Sequence, residues 1–308
     1  MWNLPFFDYN TLMKTIVTHY APDVDAISSV WLIKRFLNGW ADANLAFVSA
    51  GKTLNNDMVD CDPEILHVDT GMGILDHHQT DEDTCAARRV LEYLVDHRDE
   101  VRGHHFPDEA LVRMVDVIND IDHFREVYYP RPEADFYDFG FVAMLDGLKL
   151  LHPDDHVKLV EFGMMALDGI FKQFQNKVWA EEEIQKIGVV FDSPWGKGIG
   201  METVNDEALR IAQRNGYMVA IRKDPKKGFV RMKALPDSAA DFTDTWKRLK
   251  EKDPHATWFL HASKKMILNG SMKNPESHPS TLTLGEIIDV LRINPKKDAV
   301  IKKKNKKK

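Results

Sequence analysis

Thr18-His19-Tyr20-Ala21-Pro22-Asp23-Val24-Asp25-Ala26 joins a β-branched run to a helical pattern, and its reading decides the fold. Upstream, Lys14–His19 reads as a short strand, since branched residues suit a pleated, half-buried surface. Downstream, Ala26–Trp40 reads as a helix from its apolar spacing. His19 is therefore expected at a strand tip, and Pro22 keeps the following loop extended. Asp23 and Asp25 project from one short turn. Two carboxylates beside an imidazole repel or stay unsatisfied unless a cation sits among them. Capping the next helix explains one aspartate alone; it does not explain all three residues together.

Working outward, Asn44–Ala50 and Ile65–Asp69 read as further strands, separated by loops rich in Asp, Asn and Gly. Thr84 is the expected N-cap of a helix through Val95, and Asp108–Ile118 and Tyr137–Leu151 read as helices. Strands alternating with helices predict a parallel sheet in an α/β domain. Its active loops belong at the carboxyl ends of the strands. From Asp154 to Lys186, Val157, Val160, Met164, Leu167, Phe171, Phe174 and Val178 recur at spacings of three and four, which predicts one long connecting helix. Beyond it come strand Val189–Asp192, helix Val204–Asn215, strands Tyr217–Arg222 and Phe229–Leu235, and helix Ala240–Lys250. Strand Thr257–His261 and helix Leu284–Ile293 complete the pattern. The expected organisation is thus an α/β parallel-sheet domain over 1–152, a helical connector over 153–187 and a smaller α/β domain over 188–295. A disordered lysine-rich tail over 296–308 ends the chain.

The composition sets the outer limits. The chain has 308 residues, 44% of them hydrophobic, which excludes disorder as its main state. No run approaches the eighteen apolar residues of a membrane span. Met1–Thr11 lacks a basic segment and carries Asp8, so it does not read as a signal peptide. Two cysteines, Cys61 and Cys85, cannot form a disulfide framework, and a reducing, cytoplasmic location is expected. The formal net charge is −7, yet Lys296–Lys308 alone carries +7, leaving −14 on the other 295 residues. A lysine run adds salt-sensitive affinity for polyanions. An acidic body points instead to bound cations.

Two further clusters carry the same chemistry. In His67-Val68-Asp69-Thr70-Gly71-Met72-Gly73-Ile74-Leu75-Asp76-His77-His78-Gln79, Asp69 ends an apolar strand and the glycines permit a tight turn back. Carboxylates can bridge divalent ions while imidazoles complete the coordination with N donors. Asp76 is placed to orient His77 or His78 from behind. In Asp116-Val117-Ile118-Asn119-Asp120-Ile121-Asp122-His123-Phe124, Asp116 and Asp120 lie one helical turn apart. Asp122 and His123 read as a solvated helix end, and His104–His105, without carboxylates around them, as loop residues.

His19-x3-Asp23-x-Asp25, Asp69 after its strand, and Asp76-His77-His78 resemble the first three motifs of the DHH phosphoesterase superfamily, which includes RecJ-type exonucleases, nanoRNA and cyclic-dinucleotide phosphodiesterases and manganese pyrophosphatases. Ile118-Asn119-Asp120-x3-Phe124 resembles the fourth, with Asp116 as the alternative ligand. The resemblance spans about the first 150 residues. It implies a site of two Mn²⁺ ions, with Mg²⁺ as the substitute. One ion would be held by His19, Asp23, Asp69 and Asp120, the other by Asp25, His77, Asp69 and Asp120. It further implies that Asp76 and His78 are catalytic, His78 meeting the phosphate or leaving oxygen. On this reading Asp25→Ala or His77→Ala abolishes turnover with the fold intact.

The second half lacks the glycine-rich Gly-Gly-Gly-His loop of ordinary DHH partner domains and the Ser-Arg-Lys clamp of the pyrophosphatases. Trp258-Phe259-Leu260-His261-Ala262-Ser263 followed by Asn269-Gly270 instead resembles the melanocyte-proliferating-gene family of DHH-type exoribonucleases. Independently of that resemblance, His261, Ser263, Lys264 and Lys265 fall at a strand end where donors can face a phosphate, with Asn269 and Lys273 added to the surface. Arg88 and Arg89, one turn into the helix after Asp76-His77-His78, are further candidate phosphate contacts. Trp195 reads as buried against the sheet rather than as a base-stacking platform. The expected function is a 3′–5′ exonuclease on short single-stranded RNA or DNA. The alternatives are a small-nucleotide phosphatase, acting on pAp, cyclic dinucleotides or pyrophosphate, and a nucleic-acid-binding protein with a vestigial metal site. The expected partner is a short nucleic acid or nucleotide, with no membrane; the sequence permits a homodimer without requiring one.

Overall fold

Strand β1 (Thr15–His19) is the middle of a three-stranded parallel sheet, with β2 (Asn44–Val48) on one side and β3 (Ile65–His67) on the other. The computed structural model describes residues 13–103, 106–271 and 274–292 of this mixed α/β protein. The chain divides into two compact units between Gln175 and Asn176. The lysine-rich tail, His104–His105, Lys273 and Met1–Thr11 lie outside the described residues.

In the first unit, helix α1 (Val24–Phe36) follows β1 and packs against α2 (Ala86–Asp96) and α3 (Glu109–Asp122). Every residue of α1 from Val24 to Ile33 is buried, polar ones included, which makes it the central helix of the unit. Trp31, 2% exposed, packs edge-on against Phe171 and donates from Nε1 to Asp168 Oδ1 at 3.0 Å. A buried indole N–H needs such an acceptor. Helix α4 (Phe141–Leu151) comes next. Helix α5 (His156–Ile187) is the long helix expected, and the boundary between the units falls within it.

In the second unit, β4 (Val189–Ser193), β5 (Gly196–Glu202), β6 (Val219–Lys223), β7 (Val230–Ala234), β8 (Trp258–Leu260) and β9 (Met266–Asn269) form one sheet, ordered β4-β5-β6-β7-β9-β8. Only β5 and β6 run parallel, joined through α6 (Glu207–Arg214). Along β6, Val219 and Ile221 enter one core with residues of α7 (Thr243–Lys252) and α8 (Leu284–Arg292), while Ala220 enters the other with α6. That two-residue alternation is the pleat itself. Trp195 packs against the first of these cores, its ring 5.4 Å from that of Phe242.

Two strands, β5 and β9, were not expected from the sequence. Gly196, Gly198 and Gly200 give β5 poor strand propensity. Gly198 is required there, because a Cβ would stand 2.5 Å from the Phe191 ring. No helix among the described residues is long and apolar enough to cross a membrane.

Candidate metal centre

The strand order puts the site where it is. The chain leaves β1 towards β2 on one side and returns to β3 on the other, so a crevice opens between the carboxyl ends of β1 and β3. His19 ends β1, and Asp69 lies two residues past β3. His19 Nδ1 faces the Tyr20 carbonyl at 2.8 Å, which leaves Nε2 turned to Asp69 Oδ2 at 3.2 Å and Asp23 Oδ2 at 4.0 Å. A backbone carbonyl on one ring nitrogen fixes which nitrogen is offered to a ligand. Asp23 is also the N-cap of α1, accepting from Ala26 N at 3.0 Å through Oδ1.

The turn after β3 is tightly wound. Asp69 (φ 55°), Gly71 (φ 85°) and Met72 (φ 59°) all adopt left-handed conformations. A Cβ on Gly73 would stand 2.5 Å from Asp60 Oδ2. Asp76, fully buried, holds the turn closed. Its Oδ2 accepts from Met72 N at 2.7 Å, and its Oδ1 accepts from His77 N at 2.7 Å and His78 N at 3.2 Å. The same Oδ1 lies 2.8 Å from His78 Nδ1. Asp76 therefore positions His78, whose side chain is 53% exposed.

His77 points inward. Its Nε2 lies 3.5 Å from Asp69 Oδ1, 3.7 Å from Asp25 Oδ2 and 3.7 Å from Asp122 Oδ2. Asp25 is buried and clamps the start of α2: Oδ2 accepts from Ala86 N at 2.7 Å and Oδ1 from Ala87 N at 2.8 Å. This carboxylate supplies the acceptor expected of Thr84, and Cys85, the N-cap, makes no side-chain capping bond. Asp25 thus serves the fold as well as the site, against the expectation that Asp25→Ala spares the fold.

Three groups result, each with one ligand atom per residue within 4.8 Å of the others: His19, Asp23 and Asp69; Asp69, His77 and His78; Asp25, His77 and Asp122. Asp69 Oδ1 and His77 Nε2 are buried and face each other at 3.5 Å without a well-formed hydrogen bond. Leaving such atoms unpaired is costly, and a cation between them would satisfy both. The donor set is imidazole and carboxylate, which suits divalent ions such as Mn²⁺, Mg²⁺ or Zn²⁺. These acidic and histidine groups can hold a metal ion.

The electrostatics agree. Burial opposes charge on His19, yet Asp69, the Tyr20 carbonyl and Asp23 together raise it to about 9. The Asp69 carboxylate, against the effect of burial and helped by Asp122 and Asp25, raises His77 to about 9. Burial would raise Asp69, but His19 and His77 outweigh it and hold it below the usual carboxylate range. Asp25 is pushed well above that range by burial and then by Asp69 and Asp122. Burial also raises Asp122. Without a metal, the cluster is neutralised by protons it would release to one.

Residues 16–174 match the family described as ChrB, C-terminal domain, which is 159 of the 308 residues and includes every residue of the cluster. The chain belongs to this ChrB C-terminal-domain family. No curated protein matches it. Among solved structures, the DHH domain of a protein described as a member of a family of ribosomal proteins aligns over 91% of this chain and 85% of its own. The identity is 12% and the TM-score 0.30, too slight a likeness to bear on fold or activity.

Within the ChrB-family region, the structure brings together His19, Asp23, Asp25, Asp69, His77 and His78, with Asp76 behind. Asp120 is a correction. It is 42% exposed and pairs with Arg125 at 3.1 Å, and Asp122, only 17% exposed, takes the place beside His77. Asp116 is also outside, paired with Arg88 at 2.8 Å. The reason is the length of α3, which runs four residues beyond the expected Ile118. Leu111, Val115 and Ile118 are buried on one face, and spacings of four, three and four carry that face on to Asp122. The signal was in the sequence, in the phase of the helix.

The expected substrate contacts fare differently. Arg88 is held by Asp116. Asn269 is fully buried, donating to the Thr257 and His278 carbonyls and accepting from Ser280 N, so it ties strands and loop together. Lys265 donates to the Ser238 and Ala240 carbonyls, and Lys264 pairs with Asp241 at 3.3 Å. His261 Nδ1 and Ser263 Oγ lie 2.8 Å apart within one exposed turn. Asn269 and Lys265 are structural residues; a strand-end position alone did not distinguish donors facing solvent from donors closing loops.

Proposed function

We propose that the first unit is a metal-dependent phosphoesterase binding two divalent ions, with Mn²⁺ the first to test. The observation that carries this reading is the buried pair Asp69 Oδ1 and His77 Nε2, 3.5 Å apart with no well-formed hydrogen bond between them and ringed by the carboxylates of Asp25 and Asp122. His19, Asp23 and Asp69 would hold one ion, and Asp25, His77 and Asp122 the other, with Asp69 between them. When bound, such a pair supplies charge neutralisation for a phosphate and a water acidic enough to react at neutral pH.

The chain's own residues do the rest. Asp76 anchors His78 through Nδ1, which leaves Nε2 to act at the substrate. In its protonated form that Nε2–H donates to the departing oxygen, a general-acid role. The Tyr20 carbonyl on His19 Nδ1 and the α2 amides on Asp25 keep both ligands from turning. The acidic cluster repels a bare phosphate, so substrate binding should depend on metal. Short single-stranded nucleic acid cleaved 3′–5′ is the first substrate class to try, with small nucleotides second.

The test is cleavage of a 5′-labelled RNA pentamer after chelation and Mn²⁺ add-back, resolved by product length and repeated with pAp and a cyclic dinucleotide. A ladder supports exonuclease action; turnover of the nucleotides alone moves the function to nucleotide hydrolysis. Inactivity on all of them, or full activity in His77→Ala, rejects the phosphoesterase reading.

A further inference from the structure

We infer that the first unit carries its own pocket for the organic part of the substrate, built between α3 and α4, and that it takes a flat ring bearing amino groups, as in an adenine nucleotide. This rests on the phosphoesterase reading above. A cavity of about 220 Å³ is lined by Asp23, Asp25 and Asp122, and its far wall is formed by α4, including Lys149. A second cavity, of about 360 Å³, lies next to it, and Ile121, Glu126, Val142 and Asp146 line both. The second falls in the size range of small-molecule sites, about 300–1,000 Å³. The four shared residues make the two cavities neighbours, and the proposal is that a substrate with its phosphate in the first reaches past them to place its ring in the second.

The lining selects the chemistry. Tyr129, Tyr137 and Phe141 line the larger cavity, and aromatic faces of this kind stack on rings of any sequence. The Tyr129 and Tyr137 rings stand 5.8 Å apart at 43° to one another. The charged groups in that lining are Glu126, Asp138 and Asp146, all carboxylates; Asp146 pairs with Lys149 at 3.6 Å, so Glu126 and Asp138 are the acceptors offered to a ring. They suit ring amino groups and disfavour a ring edged only with acceptors. Among the described residues, Lys149 is the one cation lining either cavity; it lies in the smaller one with the metal ligands and pairs there with Asp146 at 3.6 Å, a contact a phosphate would have to share. A phosphate belongs in the smaller cavity, and the ring in the larger.

The experiment measures two quantities. The first is the ratio of kcat/KM for an adenosine-bearing phosphodiester to that for a ringless glycerol phosphodiester, in wild type, Tyr129→Ala and Ala143→Trp. The ratio should fall about tenfold in both variants, by lost stacking in one and by a filled cavity in the other. The second is binding of adenosine to the chelated protein by saturation-transfer NMR, with uridine as comparator. Adenosine should give signal, uridine less, and Ala143→Trp should remove it. Hydrolysis with an unchanged ratio and no adenosine signal overturns the pocket while the phosphoesterase reading stands. Adenosine binding lost in Ala143→Trp, without hydrolysis of any ester, supports the pocket and removes the phosphoesterase reading.

Discussion

Replacing Asp122 with asparagine preserves shape and removes one negative charge from the ring around His77 Nε2, 3.7 Å away. At an effective dielectric constant of 20, unit charges at that separation interact by about 4.5 kcal/mol, which is also the order of the net attraction for a divalent ion that displaces the single charge of the His77 proton. Part of this is returned because an asparagine is cheaper to bury than a carboxylate, so the expected loss of affinity for one ion is about 100-fold, or about 2.7 kcal/mol. Asp120→Asn is the control. That carboxylate is 42% exposed and faces Arg125, an arrangement worth about 0–1 kcal/mol. Its removal should leave metal affinity within about threefold of wild type. Isothermal titration of the chelated protein with Mn²⁺ gives both stoichiometry and affinity. Wild type should bind two ions and Asp122→Asn should bind one tightly. A larger loss in Asp120→Asn than in Asp122→Asn would refute the ligand assignment and restore the residue expected from sequence.

The raised values of His19 and His77, each about 9, mean that at pH 7.5 both rings are mostly protonated. Mn²⁺ binding should then release about two protons, seen as a buffer-dependent heat, and affinity should climb with pH up to about 9. Both rings bind more protons folded than unfolded, so in the chelated protein their stabilisation is complete below pH 6.5 and fades as pH rises through 9. A thermal midpoint that rises over that interval would contradict this. Asp25→Ala leaves the buried Ala86 and Ala87 amides without an acceptor, and the chelated protein should lose about 2 kcal/mol in urea unfolding, partly recovered in Asp25→Asn. An unchanged midpoint would deny the capping role. Asp76→Ala strands the amides of Met72 and His77 and should cost about 3 kcal/mol with His78 disordered, read from unfolding and from the imidazole resonances.

The first unit was legible where physics is local. A β-branched run predicts β1, apolar spacing predicts α1, and His19 and Asp69 follow from where strands end, while His77 stands out through the Asp76-His77-His78 cluster. Legibility failed where partners come from afar. Nothing near Ala86 says that its N–H will be met by Asp25, 61 residues away. The motif resemblance points to Asp120, but the phase of α3, set by buried Leu111, Val115 and Ile118, turns Asp120 outward and Asp122 inward. In the second unit, β5 is a strand because Phe191 lies against Gly198 and its neighbours pair on both sides, while its own three glycines argue the other way. Lysines 264 and 265 looked like free donors because their acceptors, Asp241 and two backbone carbonyls, come from the segment before α7.

The two jobs of Asp25 make it a poor witness to activity. A descendant of this chain that had ceased to bind metal would still need an acceptor for the first amides of α2, so selection on stability alone would retain that aspartate. His77 has no such duty towards a helix: among the described residues its Nε2 meets only the carboxylates of Asp69, Asp25 and Asp122, the same groups that would hold the ion with it. Asp122 likewise caps no helix, and holding it in place costs the protein desolvation. Among related chains, loss of His77 and Asp122 with Asp25 retained would therefore mark those that kept the fold and gave up the ion.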